Sequence, residues 1–398
     1  MDRSVRDLKI SIIGAGMAGL PSALALVREG FTSINVYEYA SDLGFVGAGI
    51  HLTPNIARVL DQLGVWEEIK CKKEPAIKSH FSHPAVVNSF GDYPSLNIPP
   101  RDGSAEYTVH SNIILAADGI KNKTRVELMN ILGVEASVQD TNQTAYRTMT
   151  NRDQILKDPE LLELMDGKRI TRWIGEKKHI LAYPNSNNTT YNMPTTQPDT
   201  NFASATDATY TTRGSKSAML ASPQPCPWWE VCEWKLRVHE PIPTWAHNSV
   251  ALVGYACHST LPHMFQGAAE AIEDAAVLGV VLSRLPNTQP SSINKAPGVY
   301  ETIRKGRAET LVKLTAIAGH SMYLGEGAEE KARDRQFEAL GKAGDDPVPD
   351  RWADAEIQRM VYGTHCAHIA REKFDARFGQ REPEYEHIES QQASAKLA

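Results

Sequence analysis

The chain has 398 residues, of which 41% are hydrophobic and 23% charged, the balance of an ordinary globular protein. Length alone asks for about two or three cores at roughly 150 residues each. A net charge of −6 with no basic run argues against a nucleic-acid partner, and no stretch of about 18 uncharged apolar residues offers a membrane span.

The first element is a strand. Lys9 to Ile13 (KISII) is apolar and β-branched, as a buried parallel strand requires. GAGMAG follows, with Gly14, Gly16 and Gly19 at the G-x-G-x-x-G spacing. The first glycine permits a tight turn, the second lets backbone approach a pyrophosphate, and the third lets helix and strand pack closely. A helical run then reaches Arg28 and stops at Gly30, with Pro21 early enough to sit in the first turn. Its free N–H groups and partial positive charge suit a pyrophosphate. The next strand, Ile34 to Tyr37, ends at Glu38, 19 residues beyond Gly19, where a ribose needs a hydroxyl acceptor. Strand, glycine loop, helix and acid together predict a dinucleotide site. They do not distinguish FAD from NAD.

Farther on, Asn112 to Ala116 (NIILA) leads into ADGIKNKTR, with Asp118, Gly119 and Arg125 at fixed spacing. Val250 to Val253 leads into GYACHSTLPHMFQGAAEAIEDAAVLG. In order, these segments resemble the D-G-x-x-S-x-x-R and G-D-A-A-H-x-x-x-P-x-x-x-Q-G-A-x-x-x-x-E-D-A motifs of flavoprotein hydroxylases. Asn122 stands in place of the serine, and Gly254, His258, Pro262, Gln266, Gly267, Ala268, Glu273 and Asp274 match. TAYR (Thr144 to Arg147), HILAYP (His179 to Pro184), WKLRVHEPIPTW (Trp234 to Trp245) and YETIRKGR (Tyr300 to Arg307) add to the likeness. The whole, from Lys9 to about Arg335, resembles the salicylate-hydroxylase-like branch of single-component FAD-dependent aromatic monooxygenases, of the fungal secondary-metabolism type.

That resemblance implies FAD as cofactor, with NAD(P)H as reductant; the plain phosphate loop, with no cysteine or histidine beside an attachment signature, predicts that FAD is held non-covalently. The resemblance also implies dioxygen and a phenolic or polyketide-derived aromatic molecule as substrates, oxygen being delivered through a flavin hydroperoxide. Gly14, Gly16, Gly19, Glu38, Gly49, Asp118, Arg125, Tyr255, Gly267 and Ala268 form the expected cofactor set. Arg147 is the expected cation that favours the phenolate, and Tyr183 the expected hydrogen-bond partner of the substrate. Pro262 shapes the loop beside the ring. Glu273 and Asp274 read as structural or surface carboxylates, His179 and His258 as hydrogen-bonded core histidines, and Trp228, Trp229, Trp234 and Trp245 as packing residues at a domain junction.

The implied fold is α/β: a discontinuous Rossmann-like FAD-binding domain over 1–140 and 241–310, an inserted, mainly β substrate domain over 141–240, and a helical region with a polar tail over 311–398. Within the insert, Arg169 to Ile174, His179 to Tyr183 and Thr189 to Met193 read as short β-like runs, and the stretch 185–227, rich in Asn, Thr, Ser and Pro, reads as loop or poorly packed. Only one glycine fingerprint occurs, which excludes a second nucleotide domain of the disulfide-reductase kind. Cys71, Cys226, Cys232, Cys257 and Cys366 form no pair motif and no zinc spacing. A reducing, cytoplasmic setting and no metal are expected.

Two departures from the motifs matter. Tyr255 stands where the family has the aspartate that accepts from the ribityl chain. The segment between Trp66 and Ala117 is shorter than in relatives and lacks their H-R-x-D-L motif; Arg101 is no substitute. The sequence thus leaves open an active monooxygenase, a relative with weak or no FAD binding, and a different flavin oxidoreductase on the same fold.

Overall fold

The computed structural model describes residues 4–40, 50–67, 79–81, 85–100, 104–135, 137–167, 169–185, 188–200, 211–213, 230–340 and 349–379. Strand β1 (Ile10–Ile13) is buried on both faces. It pairs in parallel with β2 (Ile34–Glu38) on one side and β7 (Ile113–Ala116) on the other. β3 (Ser79–Phe81) extends the sheet beyond β2, and β15 (Val250–Leu252) extends it beyond β7, all in parallel. β14 (Ala246–His247) closes that edge antiparallel. The order β14-β15-β7-β1-β2-β3 reverses direction at β1. The carboxyl ends of β1 and β7 therefore open a crevice at a topological switch point, where such sheets bind ligands.

Helix α1 (Gly19–Arg28) links β1 to β2, and α2 (Pro54–Gln62) follows. Pro21 falls in the first turn of α1, where a missing N–H costs least. α3 (Lys123–Ile131) starts at Asn122, whose side chain caps it by accepting from Arg125 N–H. A three-stranded antiparallel sheet, β4 (Val86–Ser89), β5 (Ser95–Ile98) and β6 (Tyr107–His110), lies between β3 and β7 in the chain. It is fastened to the main sheet by the 2.7 Å Ser11–Ser111 hydroxyl pair and by Asn248 Nδ2 donating to the Phe90 carbonyl at 2.8 Å.

The second large sheet is antiparallel, in the order β12-β13-β8-β11-β10-β9. Its strands are β8 (Val138–Asn151), β9 (Thr171–Gly175), β10 (Lys178–Asn185), β11 (Thr190–Pro198), β12 (Thr211–Arg213) and β13 (Glu230–His239). β11 starts within Thr189 to Met193, a run expected to be β-like, and continues to Pro198; that continuation and β12 correct the loop expectation for 185–227. Cross-strand pairing with β8 and β10 makes the Thr- and Asn-rich β11 a strand, since strand formation follows packing partners more than intrinsic preference. Alternation gives this sheet two faces. Tyr191, Met193 and Ala182 pack with Ile155 and with Met165 of α4 (Pro159–Asp166). The opposite face carries Arg147, Pro194, Thr196, His179, Leu181 and Tyr183 toward a cavity.

Helix α5 (Gly267–Ser283) is buried almost all round, its carboxylates Glu270, Glu273 and Asp274 included. It packs against α1 through Gly279, where a β-carbon would sit 3.1 Å from that of Ala25. The short α6 (Pro290–Ile293), the 27-residue α7 (Lys295–Ser321), α8 (Ala328–Leu340), α9 (Ala355–Tyr362) and α10 (Cys366–Phe378) complete the helical part. Among the described residues, no helix is long and apolar enough to cross a membrane.

Candidate cofactor and substrate site

The glycine loop sits at the switch point. Gly14 has φ +93°, and a β-carbon there would overlap the Ala117 carbonyl, so β1 and β7 meet at a position only glycine fills. A β-carbon at Gly19 would overlap the Gly14 carbonyl, which locks α1 onto the turn. Gly16 has nothing within 4 Å of its would-be β-carbon, so its backbone is open to a ligand. The Glu38 carboxylate closes the mouth of this loop, accepting from Ala15 N–H and Ala40 N–H, each at 2.6 Å. An open glycine, a tight turn and a carboxylate at the loop's edge fit the diphosphate and ribose of a dinucleotide. Gly49 lies outside the described residues.

Asp118 follows β7. Its Oδ2 accepts from Lys123 N–H at 3.2 Å, while Oδ1 is buried without a hydrogen-bond partner among the described residues. Burial pushes its carboxyl up to about 6. Arg125 is buried, and its Nη2 donates to the Glu240 carbonyl at 3.0 Å, tying α3 to the chain leaving the second sheet. Neither residue lines the cavity described below.

After β15, Gly254 has φ +65° and packs against Ala18 of the glycine loop, its would-be β-carbon 2.8 Å away. Tyr255 comes next. Its hydroxyl donates to the Thr260 carbonyl at 3.1 Å, and its ring lies against Gly267 at the start of α5. Burial pushes the phenol up to about 12, so it stays a neutral donor. A short helical turn, Pro262–Met264, then leads to Phe265, which adopts the left-handed conformation with φ +56°. A bulky residue rarely accepts that geometry. Here it reverses the chain into α5 and sets the ring 4.7 Å from His51 and 5.3 Å from Trp352.

Beside this turn lies an ionic cluster that sequence reasoning missed. Arg304 of α7 meets three carboxylates of α5: Nε to Asp274 at 2.7 Å, Nη1 to Glu273 at 2.8 Å and Nη2 to Glu270 at 2.8 Å, all buried. Arg307 adds a two-pronged contact to Glu273 at 2.8 and 2.9 Å. Asp274 also takes His258 Nε2 at 2.7 Å and Gly254 N–H at 3.0 Å. Burial alone would raise Asp274, but the charges of His258 and Arg304 hold it down to about 2. Cys257, His258 and Asp274 lie within 4.8 Å of one another, yet Asp274 is already committed to Arg304, His258 and backbone. The available signal was three acids at helical spacing in an otherwise apolar segment, with Arg304 and Arg307 one turn apart in YETIRKGR.

A cavity of about 480 Å³ lies between α5 and the second sheet. It brings together Arg147, Tyr183, Tyr255, Gly267 and Ala268; the glycine-loop residues and Glu38 are not on its wall. Arg147 lies over the Trp234 ring at 5.3 Å. Tyr183 is buried, and its hydroxyl accepts from Asn192 Nδ2 at 2.6 Å. Burial raises the Tyr183 phenol, and the Arg147 charge works against that rise. Elsewhere on the wall His179 and His263 face each other, ring centroids 5.5 Å apart. Burial, with help from the nearby Arg172 charge, holds them neutral, lowered to about 4 and about 3. Trp234 lines this cavity, whereas Trp245 is core; Trp228 and Trp229 lie outside the described residues.

No family model matches the chain. The "FAD-dependent monooxygenase ntnJ" of Nectria sp is 26% identical over 389 residues, covering 85% of this chain and 90% of that protein. A "3-hydroxybenzoate 6-hydroxylase" of Polaromonas naphthalenivorans is 28% identical over 423 residues, covering 91% and 98%. Among solved structures, a salicylate hydroxylase substrate complex superposes with a TM-score of 0.71 at 21% identity, covering 92% of this chain and 98% of that one. CtdE in complex with FAD and a substrate superposes at 0.66 and 16% identity, covering 94% and 99%.

Proposed function

Taking as premise that the chain is a relative, in sequence and in fold, of the FAD-dependent aromatic monooxygenases, we propose that it hydroxylates a phenolic or polyketide-derived aromatic molecule, using FAD, NAD(P)H and dioxygen. The observation that carries this is one cavity in which the start of α5 faces Arg147 and Tyr183 across a wall of the second sheet. The loop of Gly14, Gly16 and Gly19 would take the diphosphate, and Glu38 the ribose hydroxyls. The first N–H groups of α5, at Gly267 and Ala268, would face the flavin end, where a helix N-terminus stabilises negative charge. FAD, when bound, supplies the redox chemistry by which NAD(P)H and dioxygen give one oxygen atom to the ring and one to water.

The chain's own residues prepare the aromatic ring. The Arg147 guanidinium favours the phenolate, which is the electron-rich form, by lowering the phenol's pKa. The Tyr183 hydroxyl, already an acceptor from Asn192, donates a hydrogen bond to the substrate oxygen. His51 and Phe265 put rings on the cavity wall, backed by the Trp352 ring 5.3 Å from Phe265. The buried thiols of Cys257 and Cys366 are unpaired, which suits a reducing cytoplasm.

The Tyr255 ring over Gly267 favours a second reading, a relative in which FAD is held weakly. The flavin absorbance of the purified protein separates the two. Incorporation of labelled oxygen from dioxygen into an aromatic product then tests the activity; a bound flavin with no labelled product would overturn it.

A further inference from the structure

One end of the cavity is flanked by two distant parts of the chain. Ile50 and His51 line it from the loop before α2, and Phe265, Gly267 and Ala268 line it from the start of α5. A buried amide joins the two flanks. Asn55 lies in the first turn of α2, is only 1% exposed and stands behind the cavity wall rather than on it. Its Nδ2 donates to Gln266 Oε1 at 3.1 Å and to Glu273 Oε1 at 2.9 Å. Its Oδ1 accepts from Thr53 Oγ1 at 2.7 Å. Both N–H groups of the amide are therefore engaged. Glu273, ion-paired to Arg304 and Arg307, can only accept, and so fixes which way the amide points.

Each flank is shaped by its bond to Asn55. Gln266 is wholly buried and immediately precedes α5, and its Nε2 donates to the Met264 carbonyl at 3.3 Å. Its side chain thus spans Phe265, whose φ of +56° is disfavoured for a bulky residue. The Gln266 amide closes the chain around that residue, and Asn55 holds the Gln266 amide. On the other flank, Thr53 occupies the N-cap of α2, where its hydroxyl would ordinarily accept from a free helix N–H. It makes no such bond, and its hydroxyl is turned to Asn55 instead. The far end is anchored, since Glu273 is held by Arg304 and by both prongs of Arg307.

Resting on the reading of this cavity as the flavin site, we infer that Asn55 is a positioning residue for the cofactor: through Gln266 and Thr53 it sets the left-handed turn at Phe265 and the first N–H groups of α5 against the loop that carries His51. Asn55 acts at one remove from the ligand. It holds the Gly267 and Ala268 N–H groups where their dipoles meet the flavin edge. Such dipoles act at close range and only when aligned, so a turn released from Asn55 loses its hold on the negative charge of reduced flavin first.

FAD titrated into the purified chain, followed by flavin fluorescence, and the midpoint potential of the bound flavin test this together. Asn55→Leu keeps the shape and removes three hydrogen bonds. It weakens binding of oxidised FAD by about tenfold, the scale of one well-aligned polar contact. It weakens binding of reduced FAD further, so the potential moves to more negative values, by about 30 mV for each additional tenfold. Gln266→Met breaks the same path from its other end, and the double variant binds FAD no more weakly than the weaker single variant. If Asn55→Leu does not fold, Gln266→Met answers through the same two readings. With FAD bound by the wild type, an unchanged affinity in the variants overturns the positioning role and leaves the flavin reading standing. A loss of affinity at unchanged potential also overturns it, since general loosening of the fold would do the same. Additive losses in the double variant overturn the path through Gln266. A wild-type protein that binds no FAD overturns the flavin reading and the inference with it.

Discussion

Tyr255 rests its hydroxyl against Gly267 so closely that a β-carbon at position 267 would overlap it. The first turn of α5 and the Tyr255 side chain are therefore one packed unit. Tyr255→Asp frees that space and restores an acceptor. FAD titrated into the two proteins side by side, followed by flavin fluorescence, tightens by about tenfold or more in the variant if one charge-assisted hydrogen bond is regained. Equal dissociation constants would remove Tyr255 as the limit on cofactor binding.

Glu38→Ala weakens FAD binding by about ten- to a hundredfold, the loss of one charge-assisted acceptor. The same change releases Ala15 N–H and Ala40 N–H, so the glycine loop loosens as well. An unchanged dissociation constant would remove Glu38 from the cofactor set.

Arg304→Met leaves Glu270, Glu273 and Asp274 buried with Arg307 as their remaining guanidinium. Removing one partner from a buried ionic cluster costs about 3–5 kcal/mol. The variant's denaturation midpoint falls accordingly, with the slope of the transition unchanged. A drop below about 1 kcal/mol, the size of an exposed pair's contribution, would show that the cluster is hydrated.

Burial and Arg172 depress His179 and His263 to about 4 and about 3 in the folded protein, from an ordinary value of 6.5. The unfolded chain takes up these protons first as pH falls. The stabilising contribution of the two neutral imidazoles is thus complete above about pH 6.5 and declines as acid is added toward pH 3 to 4. Each tenfold difference in proton affinity between the folded and unfolded chain is worth up to about 1.4 kcal/mol. Thermal melts of wild type and the double variant His179→Gln/His263→Gln across that range show the steeper decline in the wild type. Parallel curves would place both histidines in contact with water.

The β1–α1–β2 unit was legible because its glycines do what other residues cannot: Gly14 and Gly19 meet backbone where any β-carbon would collide. Of β11 only the first part, within Thr189 to Met193, was legible; its continuation to Pro198 is set by pairing with β8 and β10, which composition does not encode. The β4–β6 sheet is built from strands of four residues, too short for periodicity to register. Arg147 and Tyr183 were named through the family likeness, and they do line one cavity. Arg172, His263 and Arg304 escaped notice because their partners come from β10, the C-terminal region and α5, and only tertiary packing chooses among the many charges available. Glu273 and Asp274, read as structural or surface carboxylates, are wholly interior.

The two faces of the second sheet assign different duties to neighbouring residues. On β8, Thr148 is buried on one side while Arg147 looks onto the cavity from the other; on β10, Leu181 and Tyr183 line the cavity while Ala182 packs with the α4 cluster. On β10 a substitution at Leu181 or Tyr183 acts on the cavity wall, and one at Ala182 acts on the packing against α4. Preference for one aromatic molecule over another can therefore diverge between descendants of this chain position by position, along the residues of the strand that face the cavity.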